Sequence, residues 1–261
     1  MTTNMEVPGV TMSTGRLLHA YVTEAKYESL RLLRSPAFAG PFIGLPVLLY
    51  LLFGVLLFGD ALRHDTKGGA LFLFMGFTTF GVMGPGIFGF GVTVAAEREK
   101  GLFTLKRALP MPPGASLLAK LAMSLLFVAL IMVTMIAAYP LGHLKFTAAQ
   151  LIGLSVVEIL GAAPFAAMGL FVGTWASAKS APALVNVLYL PMIYLSGLLI
   201  PMPKSMGWVE RCSPAFHLHQ LALRAVGAPT EGWDPLVHVA VLATVTVVLT
   251  ALAVRRLARV G

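Results

Sequence analysis

The chain is short of what a water-soluble protein needs at its surface. Only 11% of its 261 residues are charged and 57% are hydrophobic, whereas soluble domains carry roughly 25% charged residues. That shortage excludes an ordinary globular domain in water. A single cysteine, Cys212, excludes an internal disulfide and argues against a thiolate metal cluster. No lysine directly follows a glycine, so the P-loop pattern is missing and any ATP the protein uses is bound by another chain. No charged-then-apolar N-terminal stretch ends in a small-residue cleavage site.

Long apolar runs are what the chain does have. Six of them, at about residues 36–58, 70–96, 116–141, 148–175, 182–200 and 236–254, approach or exceed the roughly 20 residues that cross a hydrocarbon core. The expected fold is all-α, a polytopic membrane protein with six transmembrane helices. Residues 1–12 are polar or small and expected to be disordered, and 13–261 to form a single transmembrane domain. Before the first run, Leu17, Leu18, Tyr21, Val22, Ala25, Leu30 and Leu33 recur near helical spacing among charged residues. This pattern predicts an amphipathic helix lying in the membrane interface.

The net charge of +8 is placed beside the ends of the apolar runs, which points to lipid headgroups and not to nucleic acid. With the N-terminus in the cytoplasm, 13 of the 19 Lys and Arg fall inside and 6 outside, as the positive-inside rule requires. Both termini are then cytoplasmic and the number of spans is even. The expected location is a bacterial inner membrane.

Several motifs have a bland reading beside the sharp one. Gly84-Pro-Gly86-Ile-Phe-Gly89 matches a dinucleotide fingerprint in letters, but that chemistry needs a strand-to-helix turn. Inside an apolar run, such glycines predict close helix packing or a bend. His217 and His219 lie near Cys212 and Glu210 without recognised ligand spacing. Glu158 is the one acidic residue well inside a run. Either it faces the bundle interior on a substrate or proton pathway, or it sits shallowly near the outer interface. Tyr189, Tyr194 and Ser196, in the fifth run, are further candidates for a substrate path, or simply pack. The stretch Glu97-Arg98-Glu99-Lys100-Gly101, closing at Leu109-Pro110-Met111-Pro112-Pro113, is either a solvated loop or a short charged helix suited to docking a soluble partner.

Taken together, the amphipathic helix running into Leu33-Arg34-Ser35-Pro36, the Glu97–Gly101 to Leu109-Pro110 loop, Leu195-Ser196-Gly197-Leu-Leu-Ile-Pro201 and Ser213-Pro214-Ala-Phe-His217 resemble the ABC-2 type permease family, the membrane subunits of type-2 (type V) ABC exporters. The resemblance covers nearly the whole chain. It implies an N-terminal connecting helix, a coupling helix in the first cytoplasmic loop and short re-entrant helices before the sixth span. It also implies a second permease subunit and separate ABC ATP-binding subunits that carry ATP and Mg, with no cofactor in this chain. By that likeness Glu97, Arg98, Glu99 and Lys100 would touch the ATPase, with Arg31 and Arg34 beside it on the connecting helix. An ion-coupled secondary transporter and a membrane-embedded enzyme remain as rival classes. The first would need inverted repeats, the second several polar residues meeting at one depth.

Overall fold

The computed structural model describes residues 14–59, 61, 68–108, 114–200 and 202–260. The expected disordered segment 1–12, the loop charges Asp60, Arg63, Asp65 and Lys67, the proline-rich stretch 109–113 and Pro201 lie outside the described residues. Among the described residues the regular structure is helical throughout, with no strand. The elements are α1 (Thr14–Leu33), α2 (Pro36–Leu57), α3 (Gly69–Glu99), α4 (Leu102–Ala108), α5 (Ala115–Gly142), α6 (Ala148–Gly161), α7 (Ala163–Trp175), α8 (Ala181–Leu195), α9 (Gly207–Arg211), α10 (Pro214–Ala225) and α11 (Pro235–Val260).

Among the described residues five stretches are long and apolar enough to cross a membrane: α2, α3, α5, α6 with α7, and α11. The fifth expected span is α8, which is apolar but only 15 residues long. At 1.5 Å per residue it covers about 22 Å, less than the roughly 30 Å of a hydrocarbon core. It ends early because Ser196–Ile200 turn, with Gly197 at φ +69°, a backbone state that glycine adopts freely.

The core is built around α3. Of its most apolar window 78% is buried, against 17% for α2 and for α11, as expected for a helix that is apolar on every side. Phe74, Met75, Val82, Met83 and Ile87 from α3 meet Ile131, Met132 and Met135 from α5 and Phe165 from α7 in one cluster. Pro85 sits inside α3, lacks an N–H and would clash with the preceding turn. The helix absorbs it as a π-helical stretch, Pro85–Phe90. Close packing accompanies the widened turn. A Cβ on Gly86 would stand 2.7 Å from the Ala166 nitrogen, and one on Gly169 2.5 Å from the Gly86 carbonyl oxygen. The glycines thus bring two backbones together.

Two boundaries differ from expectation. α3 runs one turn beyond the expected end, so Glu97, Arg98 and Glu99 form its last turn and not a separate knob. Gly101, at φ +66°, turns the chain into the short α4. In α1, the residues covered by protein are Glu28, Ser29 and Leu32, while Leu17, Leu18 and Val22 stay exposed. The N-terminal part of the apolar stripe predicted from spacing is therefore left uncovered, while Leu30 and Leu33 are partly buried.

Functional groups collect at opposite ends of the bundle. The C-terminal half of α1, the end of α3, α4, the start of α5 and the ends of α7 and α11 meet at one end, here the charged end. At the other, α10 packs on α6, α3 and α11. A capping box at Thr147 and Gln150 starts α6, and Gln150 Nε2 also donates to the Val226 carbonyl at 2.6 Å, fastening the end of α10.

Candidate functional site at the charged end

Lys120 lies in the second turn of α5, with no exposed surface. A buried ammonium is costly unless several acceptors surround it. Its Nζ donates to Glu28 Oε1 of α1 at 2.5 Å and to Glu97 Oε1 of α3 at 2.7 Å. Arg31, one turn after Glu28, reaches the same two carboxylates at 2.6 and 3.4 Å. Lys106 of α4 adds contacts to Glu24 at 2.7 Å, to Glu97 Oε2 at 3.9 Å and to Ser116 Oγ at 2.9 Å. Three carboxylates and three cations thus lock α1, α3, α4 and α5 into one block. Burial acts to raise the Glu28 carboxyl, but Lys120 above all, then Arg31 and Lys106, outweigh it and hold it below its ordinary range. Beneath the charges Leu32 packs on Met123 and Phe127, which seals the block on its membrane side.

A second fastening lies on α7. Its last carbonyls have no intrahelical donor, and two arginines supply one. Arg98 donates to the Ala176 carbonyl at 2.7 Å, and Arg256 Nε donates to the Thr174 carbonyl at 2.9 Å. The Arg256 guanidinium also lies over the Trp175 ring, 3.4 Å from its centre. The ends of α3, α7 and α11 are joined in this way.

The expected coupling residues divide into two sets. Glu97 is buried, 4% exposed, and Arg98 is committed to α7. Expectation put both in contact with a partner, but Glu97 is held inside the ion cluster, where buried charge is paired. Glu99, Lys100, Arg31 and Arg34 are exposed. Sequence reasoning missed Lys120 and Glu28, the centre of the cluster. The available signal was a lysine five residues into an apolar helix, which requires partners from elsewhere.

The expected pathway residues do not gather in one place. Glu158 is fully buried and faces the bundle interior. Thr79 Oγ1 donates to its Oε1 at 2.8 Å, and Oε2 has no hydrogen-bond partner among the described residues. Tyr189 is buried, donates to the Phe80 carbonyl at 3.1 Å and lines an apolar cavity of about 180 Å³ with Pro41, Phe42, Pro46, Phe80 and Phe88. Ser196 is buried and donates to the Met192 carbonyl, while Tyr194 is 56% exposed on α8. Glu158, Tyr194 and Ser196 do not line that cavity. His217, weighed with Cys212 as a ligand, instead has Nδ1 at 2.8 Å from His238 Nδ1 and Nε2 at 3.0 Å from the Arg211 carbonyl.

The family model described as ABC-2 type transporter matches residues 20–225, from within α1 to the last residue of α10. The chain belongs to the ABC-2 type transporter family. It is also 25% identical over 209 residues to a Bacillus subtilis (strain 168) protein described as "Putative transport permease YvfS", a match covering 78% of this chain and 84% of that one. The chain is thus an ABC-2 transport permease and a multi-pass membrane protein, and its family implies a lipid bilayer and an ABC ATP-binding partner. The matched region contains the whole ion cluster, with Glu24, Glu28, Arg31, Glu97, Lys106 and Lys120.

Proposed function

We propose that this ABC-2 permease is the membrane subunit of an ATP-driven exporter, coupled to its ATPase through the charged end. The observation that carries the reading is the buried Lys120 cluster, which makes α1, α3, α4 and α5 move as one body. A push on the exposed rim of Glu99, Lys100, Arg31 and Arg34 then reaches two spans together. Glu97 and Arg98 act behind that rim, transmitting force to Lys120 and to α7. ATP and Mg belong to the partner subunit. The charged end faces the cytoplasm, consistent with the weight of Lys and Arg there, and α8 serves as the sixth membrane-crossing helix.

A second permease subunit completes the transporter. The cargo is amphipathic (a drug, antibiotic, lipid or glycan), and the aromatic cavity at Tyr189, between α2, α3 and α8, offers it an apolar path. Alternating rearrangement of the two permeases would open that path to either side in turn. The partnerless oxygen of Glu158 favours a second reading, an ion-coupled carrier, because buried carboxylates mark ion and proton paths.

The test is to purify the tagged chain gently from its own membranes, identify what accompanies it and assay ATPase. On the exporter reading a P-loop ATPase co-purifies, and alanines at Glu99, Lys100 and Arg34 release it from a chain that is still folded. Recovery of the folded chain alone, with transport that follows a proton gradient, would move the ion-coupled reading to the front.

A further inference from the structure

The two sets of cations at the charged end differ in their partners. Around Lys120 the charges balance. Around the end of α7, Arg98, Lys179 and Arg256 make no ion pair among the described residues, and neither does Glu99, the nearest carboxylate in sequence to Arg98. Arg98 is committed to the Ala176 carbonyl, while Arg256 spends only its Nε on the Thr174 carbonyl and keeps its other donors. Lys179 is exposed, four residues beyond Trp175.

Beside these cations an apolar groove of about 390 Å³ opens between α7 and α8, lined by Phe171, Val172, Trp175, Leu184, Val187 and Leu188. Trp175 is 59% and Val187 71% exposed. Trp175 joins the two features, since its ring lines the groove and also carries the Arg256 guanidinium.

We propose that this groove is a binding site for an anionic phospholipid, its acyl chain between α7 and α8 and its phosphate at Arg256 and Lys179. Charge and shape both select that occupant. Unneutralised cations at a bundle end attract anionic headgroups, a tryptophan at that depth suits the headgroup boundary, and the groove presents only apolar side chains to a lipid tail. Arg256 is fitted to the headgroup because stacking on Trp175 and the bond to Thr174 hold its guanidinium in place. An anionic lipid there would also bridge α7 and α8, which no ion pair among the described residues does.

The proposal is tested on the full chain, purified in detergent and incubated with an equal mixture of phosphatidylglycerol and phosphatidylcholine, with retained lipid counted by native mass spectrometry. The wild type should retain phosphatidylglycerol preferentially. Arg256→Gln and Lys179→Gln should each reduce that retention about fivefold, the equivalent of one surface charge. Val187→Trp, which fills the groove and leaves every charge, should also abolish it. Melting temperatures check folding, and if Arg256→Gln unfolds α7 the other two variants carry the test. Equal retention of both lipids, or indifference to Val187→Trp, would overturn the proposal. So would displacement of the lipid by millimolar inorganic phosphate, which would mean a site for the headgroup alone. Efficient crosslinking between two copies through Val187→Cys in a Cys212→Ser background would do the same, placing a second permease in the groove.

Discussion

Lys120 and Glu158 are both fully buried in an apolar bundle, yet their surroundings treat them in opposite ways. Lys120 meets two carboxylates within 2.7 Å, themselves shared with Arg31 and Lys106. Glu158 meets one threonine hydroxyl and has an oxygen without a partner. The first arrangement holds charge and gains rigidity from it, because removing either sign strands the other. The second has no counter-charge among the described residues, and burying a carboxylate without one is costly. The charged end is thus tied together by paired charge, whereas Glu158 is held by a single hydrogen bond.

The largest effect is expected at Lys120. Lys120→Met leaves Glu28 and Glu97 buried without their common cation, and breaking a buried ion pair from one side costs about 3–5 kcal/mol. Thermal unfolding in detergent should show it, and Glu97→Gln in the same chain should recover part of the loss. An unchanged melting temperature for Lys120→Met would mean that the cluster does not hold the block together.

Glu158→Ala should cost less, about 1–3 kcal/mol, because it strands the Thr79 hydroxyl and opens a small void. Glu158→Gln keeps shape and neutrality and should stay within about 1 kcal/mol of wild type. If Gln proves as damaging as Ala, Glu158 is held as an anion and the contrast with Lys120 fails.

A smaller effect is expected on titration. The folded-state Glu28 pKa lies below its unfolded value, so the stability it contributes is present above about pH 4.5 and lost as pH falls through the folded value. The melting temperature should therefore drop on acidification below that point, and less steeply in Glu28→Gln. An identical slope in both chains would remove Glu28 from the account.

The smallest effect should come from the exposed rim. Alanines at Glu99, Lys100 and Arg34 should change stability by no more than about 0.5 kcal/mol each, while uncoupling transport from ATP hydrolysis in membrane vesicles. A large melting shift would show that these side chains carry structure and not partner contact.

Much of this was legible without coordinates. Apolar run lengths placed α2, α3, α5 and α11, and the paired glycines around Pro85 announced a close approach before its partner in α7 was known. The exposure of Glu99 and Lys100 at the end of α3 could also be read, because charged residues at the end of an apolar run must meet water or a partner. Glu97 could not be separated from Glu99, two residues away. Which face of the last turn of α3 points at Lys120 depends on how α1 and α5 cross it, and no local pattern contains that.

Sequence alone determined that this chain enters a membrane as a set of helices, since apolar length and the cost of unsatisfied backbone in lipid permit little else. It also determined which end carries the charge. Tertiary structure decided which charges are paired. Glu28, Glu97 and Lys120 come from three helices separated by up to 92 residues, and only their packing brings the groups within hydrogen-bond range. It likewise decided that Glu158 is buried with a single partner, because burial of a side chain within a membrane helix depends on which neighbours cover it.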